Sequence, residues 1–251
     1  MGISSLQKPV ATQDLSKLGI ISALPAEAAC LYNGKLNIGS PIEIQKDIFL
    51  CLSGMGYESA SNAARKCLEI KVDALISWGV AGAIESSLNS GDLIFAESII
   101  GQHKTYQTTT EWNKKLLAYF QKNSTSVISG DIASSKEICA SVTDKKLLLD
   151  KTGAIAVDME SAAIAEIAKN NNLDFIVIRT IADKAATTIP EAVLNHTDNL
   201  GKPEILKFML SCMSKPAQIS DIAKLAKSYK MALKTLSNIA SDLKSQNFFY
   251  V

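Results

Sequence analysis

Short apolar runs alternate with helical patterns along most of the chain, and this alternation constrains the fold more than any other feature. Seven runs are predicted as strands: Leu18–Ala23, Ile48–Ser53, Ala74–Trp78, Leu93–Ile99, Val127–Ser129, Ile155–Val157 and Phe175–Ile181. Amphipathic helices are predicted at Glu58–Ile70, Glu111–Lys122, Ser161–Asn170 and Pro203–Met213. Strands that alternate with helices indicate a largely parallel sheet covered on both faces. The sequence therefore predicts an α/β domain.

The two ends of the chain differ from this pattern. Residues 1–17 are polar and aperiodic and are predicted to be a tail, whereas 18–251 are predicted to form a single domain. That domain ends in a long amphipathic helix, because apolar residues recur at three- and four-residue steps from Ile219 to Leu243, with lysines between them. The helix either packs on the sheet with its lysines in solvent, or contacts lipid or a partner.

Composition excludes several classes of protein. Lys+Arg 26 against Asp+Glu 25 gives a net charge of +1 over 251 residues, so we expect no nucleic-acid partner. Five widely spaced cysteines without a CxxC pair argue against a disulfide framework and a thiolate zinc site, and fit a reducing cytoplasm. The two histidines have no metal-ligand spacing, so no metal is expected. The uncharged run Ala74–Ile84 is too short to span a bilayer.

Common catalytic and cofactor motifs do not occur in the sequence. It has no GxSxG elbow, no GxxxxGK[ST] loop and no GxGxxG that opens a helix. These absences disfavour an α/β-hydrolase, a P-loop enzyme and a standard dinucleotide-binding protein. We therefore expect no organic cofactor.

Five Gly-rich or acidic segments fall where predicted strands end. Ligands of open α/β sheets bind outside the carboxyl ends of the strands, so these segments are expected to meet in one crevice. They are Ala23–Glu27, Ser53–Gly56, Gly79–Gly82, Val157–Glu160 and Ile181–Asp183.

Each acid in these segments also has a purely structural explanation. Glu27 would be the third residue of a helix that starts at Pro25, and Glu160 would be a first-turn acid of the Ser161 helix. Asp183 would be a helix N-cap before Lys184. The combination of segments is more specific than any one of them.

The run AVDMESAA at 156–163, followed by VIRTIAD at 177–183, resembles the nucleoside phosphorylase and nucleosidase superfamily, as do SWGVAGA at 77–83 and SGDL at 90–93. The resemblance implies a three-layer α/β/α domain with a mixed, mostly parallel central sheet. It also implies cleavage of the N-glycosidic bond of a purine nucleoside, and homo-oligomers are usual in the superfamily.

A closer likeness is to the hopanoid-associated phosphorylases, which act on adenosylhopane. It rests on LPAEA at 24–28, TGAIAVDMES at 152–161 and KPAQ at 215–218. This likeness implies an adenine nucleoside with a lipid tail as the substrate and inorganic phosphate as the co-substrate.

The superfamily resemblance also implies roles for individual residues. Asp183 matches the acid that protonates N7 of the base, Glu160 matches the residue that binds the ribose hydroxyls, and Met159 matches the apolar contact on the sugar. The backbone of Gly79, Val80, Ala81 and Gly82 would pass beside the sugar and base. Ser53 and Gly54 would line the nucleophile's side of the pocket.

The nucleophile is left open between phosphate and water. In hydrolytic members that resemble methylthioadenosine nucleosidases, an acid at the position of Glu27 activates water, whereas phosphorolytic members hold phosphate. The chain has only two arginines, Arg65 and Arg179, which makes a bidentate phosphate clamp hard to assemble. Backbone N–H groups after Gly56 could hold phosphate instead. We expect phosphorolysis, with hydrolysis as the alternative.

Two further interpretations belong to other classes of protein: a non-catalytic nucleoside-binding protein with the same fold, and a flavodoxin-like nucleotide binder.

On the 5′ side of the nucleoside, residues 184–218 carry more apolar side chains than a turn and a helix require. We therefore expect this segment to form an apolar channel for a 5′ lipid, with the lysine-lined C-terminal helix near an anionic membrane surface.

Overall fold

The computed structural model describes residues 17–122, 126–190, 193–194 and 217–245. Its strands are β1 (Leu18–Ser22), β2 (Ile42–Gln45), β3 (Ile48–Leu52), β4 (Ala74–Ala83), β5 (Leu93–Ile100), β6 (Thr105–Gln107), β7 (Val127–Ser134), β8 (Ala156–Asp158) and β9 (Asp174–Asp183). Its helices are α1 (Pro25–Ala28), α2 (Tyr57–Glu69), α3 (Thr110–Lys122), α4 (Val142–Thr152), α5 (Ser161–Asn170) and α6 (Ala217–Ser245).

The strands form one mixed sheet. Its path runs β2-β3-β1-β4-β8-β7-β5-β6, and β9 pairs with both β4 and β5. Because β4, β9, β5, β7 and β8 pair in a closed cycle, this part of the sheet curves into a ring. Strand β4 pairs parallel with β1 and β9 and antiparallel with β8. The ends of β8 and β9 therefore lie beside the last residues of β4, and β1 ends beside Trp78 in the middle of β4.

Helices cover both faces of the sheet. One buried apolar cluster joins the sheet to the alanine-rich faces of α2 and α5, at residues such as Ala63 and Ala163. A second cluster on the opposite face joins it to α3 and α6, at residues such as Phe120 and Leu236. The prediction of a three-layer α/β/α fold with a mixed sheet is confirmed.

The long C-terminal helix is present as α6. Its buried side chains Leu236, Ile239 and Leu243 lie in the same cluster as strand residues, so this part of the helix packs on the sheet. Ile219, near its start, keeps 52% of its surface exposed. No helix in the described residues is both long enough and apolar enough to cross a membrane.

The observed elements differ from the predicted ones at β4, at α4 and at two short strands. Strand β4 continues to Ala83, five residues past the predicted end at Trp78, because β8 and β9 supply hydrogen-bonding partners on both sides. Helix α4 and the short strands β2 and β6 were not predicted. The predicted helix Pro203–Met213 and most of the 1–17 tail lie outside the described residues.

Candidate active site

Most of the predicted site residues line one cleft of about 160 Å³ at the end of β4. The three predicted catalytic acids are all there, although they come from α1, the start of α5 and the end of β9: Glu27, Glu160 and Asp183. Four of the predicted substrate-binding residues line the same cleft, namely Met159, Val80, Ala81 and Gly82. The expected convergence of strand-end segments is therefore seen in the fold.

Glu27 is buried at the start of the chain's first helix, where Pro25 fixes the first turn. Its Oε1 accepts a hydrogen bond from the N–H of Val80 at 2.9 Å, and its Oε2 accepts one from the N–H of Leu24 at 2.9 Å. The hydroxyl of Ser22 donates to Oε2 at 3.3 Å. Burial raises the pKa of Glu27, while the Arg179 charge and these three donors oppose the rise. The donors orient the carboxylate and favour its charged form.

Arg179 is the central cation behind the cleft, on β9, and it is 1% exposed. Its Nε donates to Oδ2 of Asp158 at 2.9 Å. Its Nη2 donates to the hydroxyl of Ser77 at 2.8 Å and to that of Ser161 at 3.0 Å. Nη2 also lies 3.9 Å from Oε2 of Glu160. This buried charge is therefore shared among several acids and hydroxyls and compensates the negative charge of the site.

Glu160 is the N-cap residue of α5 and is 8% exposed. Its Oε1 accepts a hydrogen bond from the N–H of Gly56 at 2.8 Å. Burial raises the pKa of Glu160 to about 7, and the nearby Asp158 charge adds to this, while Arg179 opposes it. Glu160 thus lies close to the midpoint of its titration at neutral pH.

Asp183 is the last residue of β9, and a turn follows it. The structural explanation that it caps a helix before Lys184 is therefore wrong. Its Oδ2 contacts the ammonium of Lys145, a buried side chain on α4. Burial raises the pKa of Asp183, and the Lys145 charge opposes the rise. The predicted acid is therefore half of a buried ion pair.

Two glycines of β4 allow these side chains to lie close to the strand. Gly79 and Arg179 are neighbours in the β4–β9 register, and a Cβ on Gly79 would lie 2.5 Å from Nη1 of Arg179 and 2.7 Å from Oε1 of Glu27. Gly82 is opposite Asp183, and a Cβ there would lie 3.2 Å from its Oδ1. The sequence analysis predicted that the substrate would lie against the backbone here. At Gly79 the side chains of Arg179 and Glu27 occupy this space instead.

Two predicted residues do not line the cleft. The hydroxyl of Ser53 donates to the carbonyl of Gly54 at 2.7 Å, and the N–H of Gly54 donates to the carbonyl of Ala23 at 3.1 Å. Both residues therefore connect β3 to the end of β1 through internal hydrogen bonds. A Gly at 54 suits its positive φ of 81°.

The open side of the cleft is formed by segments that the sequence did not assign to the site. The loop between β7 and α4 contributes Glu137, Ile138 and Cys139, and Ile189 lies after the turn that follows β9. A larger cavity of about 770 Å³ begins at Met55 and Gly56 and extends past Tyr57. None of the three acids lines this second cavity.

The sequence interpretation missed Asp158, Arg179 and Lys145 as parts of the site. An arginine inside the apolar run FIVIRTI is a signal for a buried and paired cation, and Asp158 lies in the motif that carried the resemblance. Lys145 gives no comparable signal, because Lys146 beside it is exposed and nothing in the sequence distinguishes the two.

The comparison with protein families gives a match over most of the chain. The model described as "Phosphorylase superfamily" matches residues 17–219. A 5′-methylthioadenosine/S-adenosylhomocysteine nucleosidase of Buchnera aphidicola (strain Tuc7) is 29% identical over 188 residues, which cover 66% of this chain and 77% of that protein. The enzyme of the same name from Maridesulfovibrio salexigens is 26% identical over 234 residues, which cover 78% and 98%.

Solved structures show the same fold. The 5′-methylthioadenosine/S-adenosylhomocysteine nucleosidase of Helicobacter pylori, in complex with butyl-thio-DADMe-Immucillin-A, aligns with a TM-score of 0.67 at 19% identity, over 91% of this chain and 99% of that one. The S-adenosylhomocysteine nucleosidase of Streptococcus pyogenes, in complex with 5-methylthiotubericidin, aligns with a TM-score of 0.66 at 20% identity, over 93% and 99%. From the match over residues 17–219 we conclude that this chain belongs to the Phosphorylase superfamily.

Proposed function

We propose that the protein hydrolyses the N-glycosidic bond of an adenine nucleoside that carries an apolar 5′ substituent. Cleavage of this bond follows from membership of the superfamily and from the curated relatives, which are named as nucleosidases of 5′-methylthioadenosine and S-adenosylhomocysteine. The protein is therefore an enzyme that cleaves N-glycosidic bonds. The choice of water as nucleophile and the nature of the 5′ group are the parts that we propose.

The charge of the cleft carries the choice of water. Five acidic residues line it, and among the described residues no lysine or arginine does. The five are Glu27, Glu137, Asp158, Glu160 and Asp183. Arg179 lies behind the cleft with Nε and Nη2 already bonded, and Arg65 is exposed on α2. Arg179 and Lys145 compensate two of these acids, Asp158 and Asp183, from behind the cleft. The remaining surplus of carboxyl groups disfavours a phosphate anion and does not hinder water.

Glu27 is the residue that we assign to water activation. Its carboxylate is held by the N–H groups of Val80 and Leu24. Burial raises the pKa of Glu27, and the Arg179 charge and these donors oppose the rise, in favour of the charged form that a general base needs. A water molecule beside it would attack C1′ of the nucleoside and give up a proton to Glu27. The superfamily resemblance implies the same role for Glu27 if the enzyme is hydrolytic.

Glu160 and Asp183 act on the two halves of the breaking bond. As the C1′–N9 bond breaks, positive charge develops on the ribosyl ring and an electron pair moves to the base. We assign Glu160 to the ribose hydroxyls and the developing positive charge, with Met159 against the sugar. We assign Asp183 to proton donation at N7, so that the base leaves as neutral adenine.

The 5′ group lies beside apolar side chains in this proposal. Leu24, Met55, Ile138 and Ile189 line the cleft, and they suit a thioether or hydrocarbon better than a free hydroxyl. The expected lipid channel of residues 184–218 falls mostly outside the described residues; among the described part, Ile189 reaches the cleft.

Phosphorolysis of a lipid-tailed adenine nucleoside is the second candidate. It is supported by the sequence likeness of 24–28 and 152–161 to the hopanoid-associated phosphorylases. The two candidates differ in their products, because hydrolysis yields a free sugar and phosphorolysis yields a sugar 1-phosphate.

The test is adenine release from adenosine, 5′-methylthioadenosine and an adenosine with a long 5′-alkyl chain, each with and without phosphate. We expect phosphate-independent release and a higher kcat/KM for the two 5′-apolar substrates than for adenosine. Release that requires phosphate would overturn the choice of water. Equal or higher kcat/KM for adenosine would overturn the apolar 5′ subsite and leave bond cleavage in place.

Two further proposals concern the assembly and the location of the enzyme. We propose a cytoplasmic homo-oligomer, because Cys30, Cys51, Cys67 and Cys139 are free thiols and oligomers are usual in the superfamily. We also propose peripheral contact between lipid and the start of α6, where Ile219 is exposed. Analytical ultracentrifugation tests the first proposal, since a monomer would contradict it. Sedimentation with anionic vesicles tests the second, since loss of binding in Ile219→Asp is expected.

A further inference from the structure

Lys145 is a charged side chain that is 1% exposed and touches the proposed general acid. Its Nζ contacts Oδ2 of Asp183. The same nitrogen donates to the carbonyl of Lys184 at 2.8 Å and to the carbonyl of Thr187 at 2.9 Å. Helix α4 supplies this lysine because Ser141 caps its first turn, with its hydroxyl accepting from the N–H of Asp144 at 3.0 Å.

The number of acceptors around Lys145 indicates its charge. An ammonium has three N–H donors, and each of them has an acceptor here. A neutral amine would leave one of these three oxygens without its donor. Lys145 is therefore charged in the free enzyme, and Asp183 is the carboxylate that pairs with it.

This pairing conflicts with the proton donation assigned to Asp183. A carboxylate has no proton to give, yet the leaving base needs one at N7. Oδ1 of Asp183 has no hydrogen-bond partner among the described residues, and it lies next to Gly82 in the cleft. One oxygen of Asp183 thus contacts a proton donor, and the other remains for a ligand.

We propose that Lys145 stores the proton that Asp183 passes to N7 of the purine. The proposal rests on the proposed function, in which Asp183 is the general acid. As the C1′–N9 bond breaks, its electron pair moves to the base. Nζ of Lys145 gives a proton to the carboxylate of Asp183, and the carboxylic acid so formed gives that proton to N7. Water bonds to C1′ and its proton goes to Glu27. After product release, Glu27 returns that proton through solvent and Lys145 regains one.

The pH dependence of activity distinguishes a Lys145 that supplies a proton from one that only holds Asp183 in place. The pair keeps its transferable proton for as long as lysine remains an ammonium, and amines of this kind lose their proton at a much higher pH than carboxylic acids do. Without Lys145, Asp183 itself must hold the proton, and it loses that proton at a lower pH. Lys145 therefore extends activity toward alkaline pH.

Several other titratable groups lie near this pair. Cys139 is in the loop before α4, Asp144 is on the exposed first turn of α4, and the other acidic residues of the cleft share its lining with Asp183. Burial raises the pKa of the Cys139 thiol, so this group could also titrate on the alkaline side. The variant Cys139→Ser controls for it.

The experiment is the pH profile of kcat/KM for 5′-methylthioadenosine hydrolysis by Lys145→Met, with the exposed neighbour Lys146→Met as the matched control. We expect Lys145→Met to lose about 10²-fold near pH 9 and much less near pH 6. Lys146→Met should keep the wild-type alkaline limb, and Cys139→Ser should keep its shape once the profile is scaled to its own maximum, because Cys139 lines the cleft. If Lys145→Met unfolds, Lys145→Gln replaces it, because its amide still donates hydrogen bonds but stores no proton.

A second substrate separates proton supply from other defects. A ribosyl substrate with a 4-nitrophenolate leaving group departs as a stable anion and needs no proton. Lys145→Met should cleave it with the wild-type pH profile. A loss by Lys145→Met that is equal at all pH values, or equal for both leaving groups, would overturn the proposal and make Lys145 a tether. Failure of the wild-type enzyme to release adenine would instead overturn the proposed function.

Discussion

The backbone N–H of Gly56 donates a hydrogen bond to Oε1 of Glu160 at 2.8 Å, and so connects the loop after β3 to the start of α5. This hydrogen bond offsets part of the free-energy penalty of burying the Glu160 carboxylate. It fixes the carboxyl group beside Met159, but it does not remove the penalty of a buried charge, since the pKa of Glu160 rises to about 7.

Glu160→Gln should stabilise the fold at alkaline pH. Because the folded pKa of about 7 exceeds the usual value of 4.5, the folded state binds more protons, and the unfolding free energy of the wild type falls as pH rises between these values. Glutamine does not titrate. The variant should gain on the wild type by up to about 3 kcal/mol above pH 7, and by little near pH 4.5.

Urea unfolding at a series of pH values measures this difference. The exposed Glu111→Gln on α3 is the control and should show almost no difference at any pH. A Glu160→Gln variant that is less stable than the wild type at pH 8 would contradict the assignment of a raised pKa.

Arg179→Met should destabilise the fold. The substitution removes the cation that pairs with Asp158 and lies 3.9 Å from Glu160, and it leaves these acids uncompensated in the interior. We expect a loss of about 3–5 kcal/mol in unfolding free energy, measured by chemical denaturation. Arg65→Met, at an exposed position of α2, should change it by less than about 0.5 kcal/mol. Equal effects of the two would contradict the account.

Gly79→Ala should lower activity through the positions of two side chains. Its Cβ would lie 2.5 Å from Arg179 Nη1 and 2.7 Å from Glu27 Oε1, so both groups must move. A displacement near 1 Å at a catalytic group costs about 10²-fold, and we expect a loss of that order in kcat/KM. Gly34→Ala is the control, because its Cβ meets only the ring of the exposed Tyr32, which can turn away. Wild-type activity in Gly79→Ala would contradict the packing argument.

Asp183→Asn should lower kcat on adenine nucleosides by about 10²-fold or more, because the amide delivers no proton to N7. The variant should still fold, because the amide oxygen accepts a hydrogen bond from Lys145, but it should be less stable than the wild type because the buried ammonium loses its counter-charge. Steady-state kinetics and circular dichroism check the two halves of this prediction. A kcat close to that of the wild type, with an intact fold, would mean that Asp183 is not the acid.

Much of this architecture is visible in the sequence, and the missed parts have physical reasons. The buried strands and α2, α3 and α5 have clear periodicity, whereas α4 has a weak apolar face and exposes Leu147. Its signals were local ones, the Ser141–Asp144 capping box and a left-handed Gly153 at its end. Because α4 was not predicted, the position of Lys145 on its inner side was not predicted either. The predicted β4 ended at Trp78 because the Gly-rich segment Gly79–Gly82 follows it, although these glycines continue the strand and leave room for nearby side chains.

The identity of the sugar product tests the central claim most directly. The enzyme is incubated with 5′-methylthioadenosine in phosphate buffer, adenine is followed by chromatography, and the sugar is followed by ³¹P NMR. The account predicts that adenine accumulates without a sugar 1-phosphate signal, because water activated by Glu27 is the nucleophile. A sugar 1-phosphate that forms in step with adenine would contradict it.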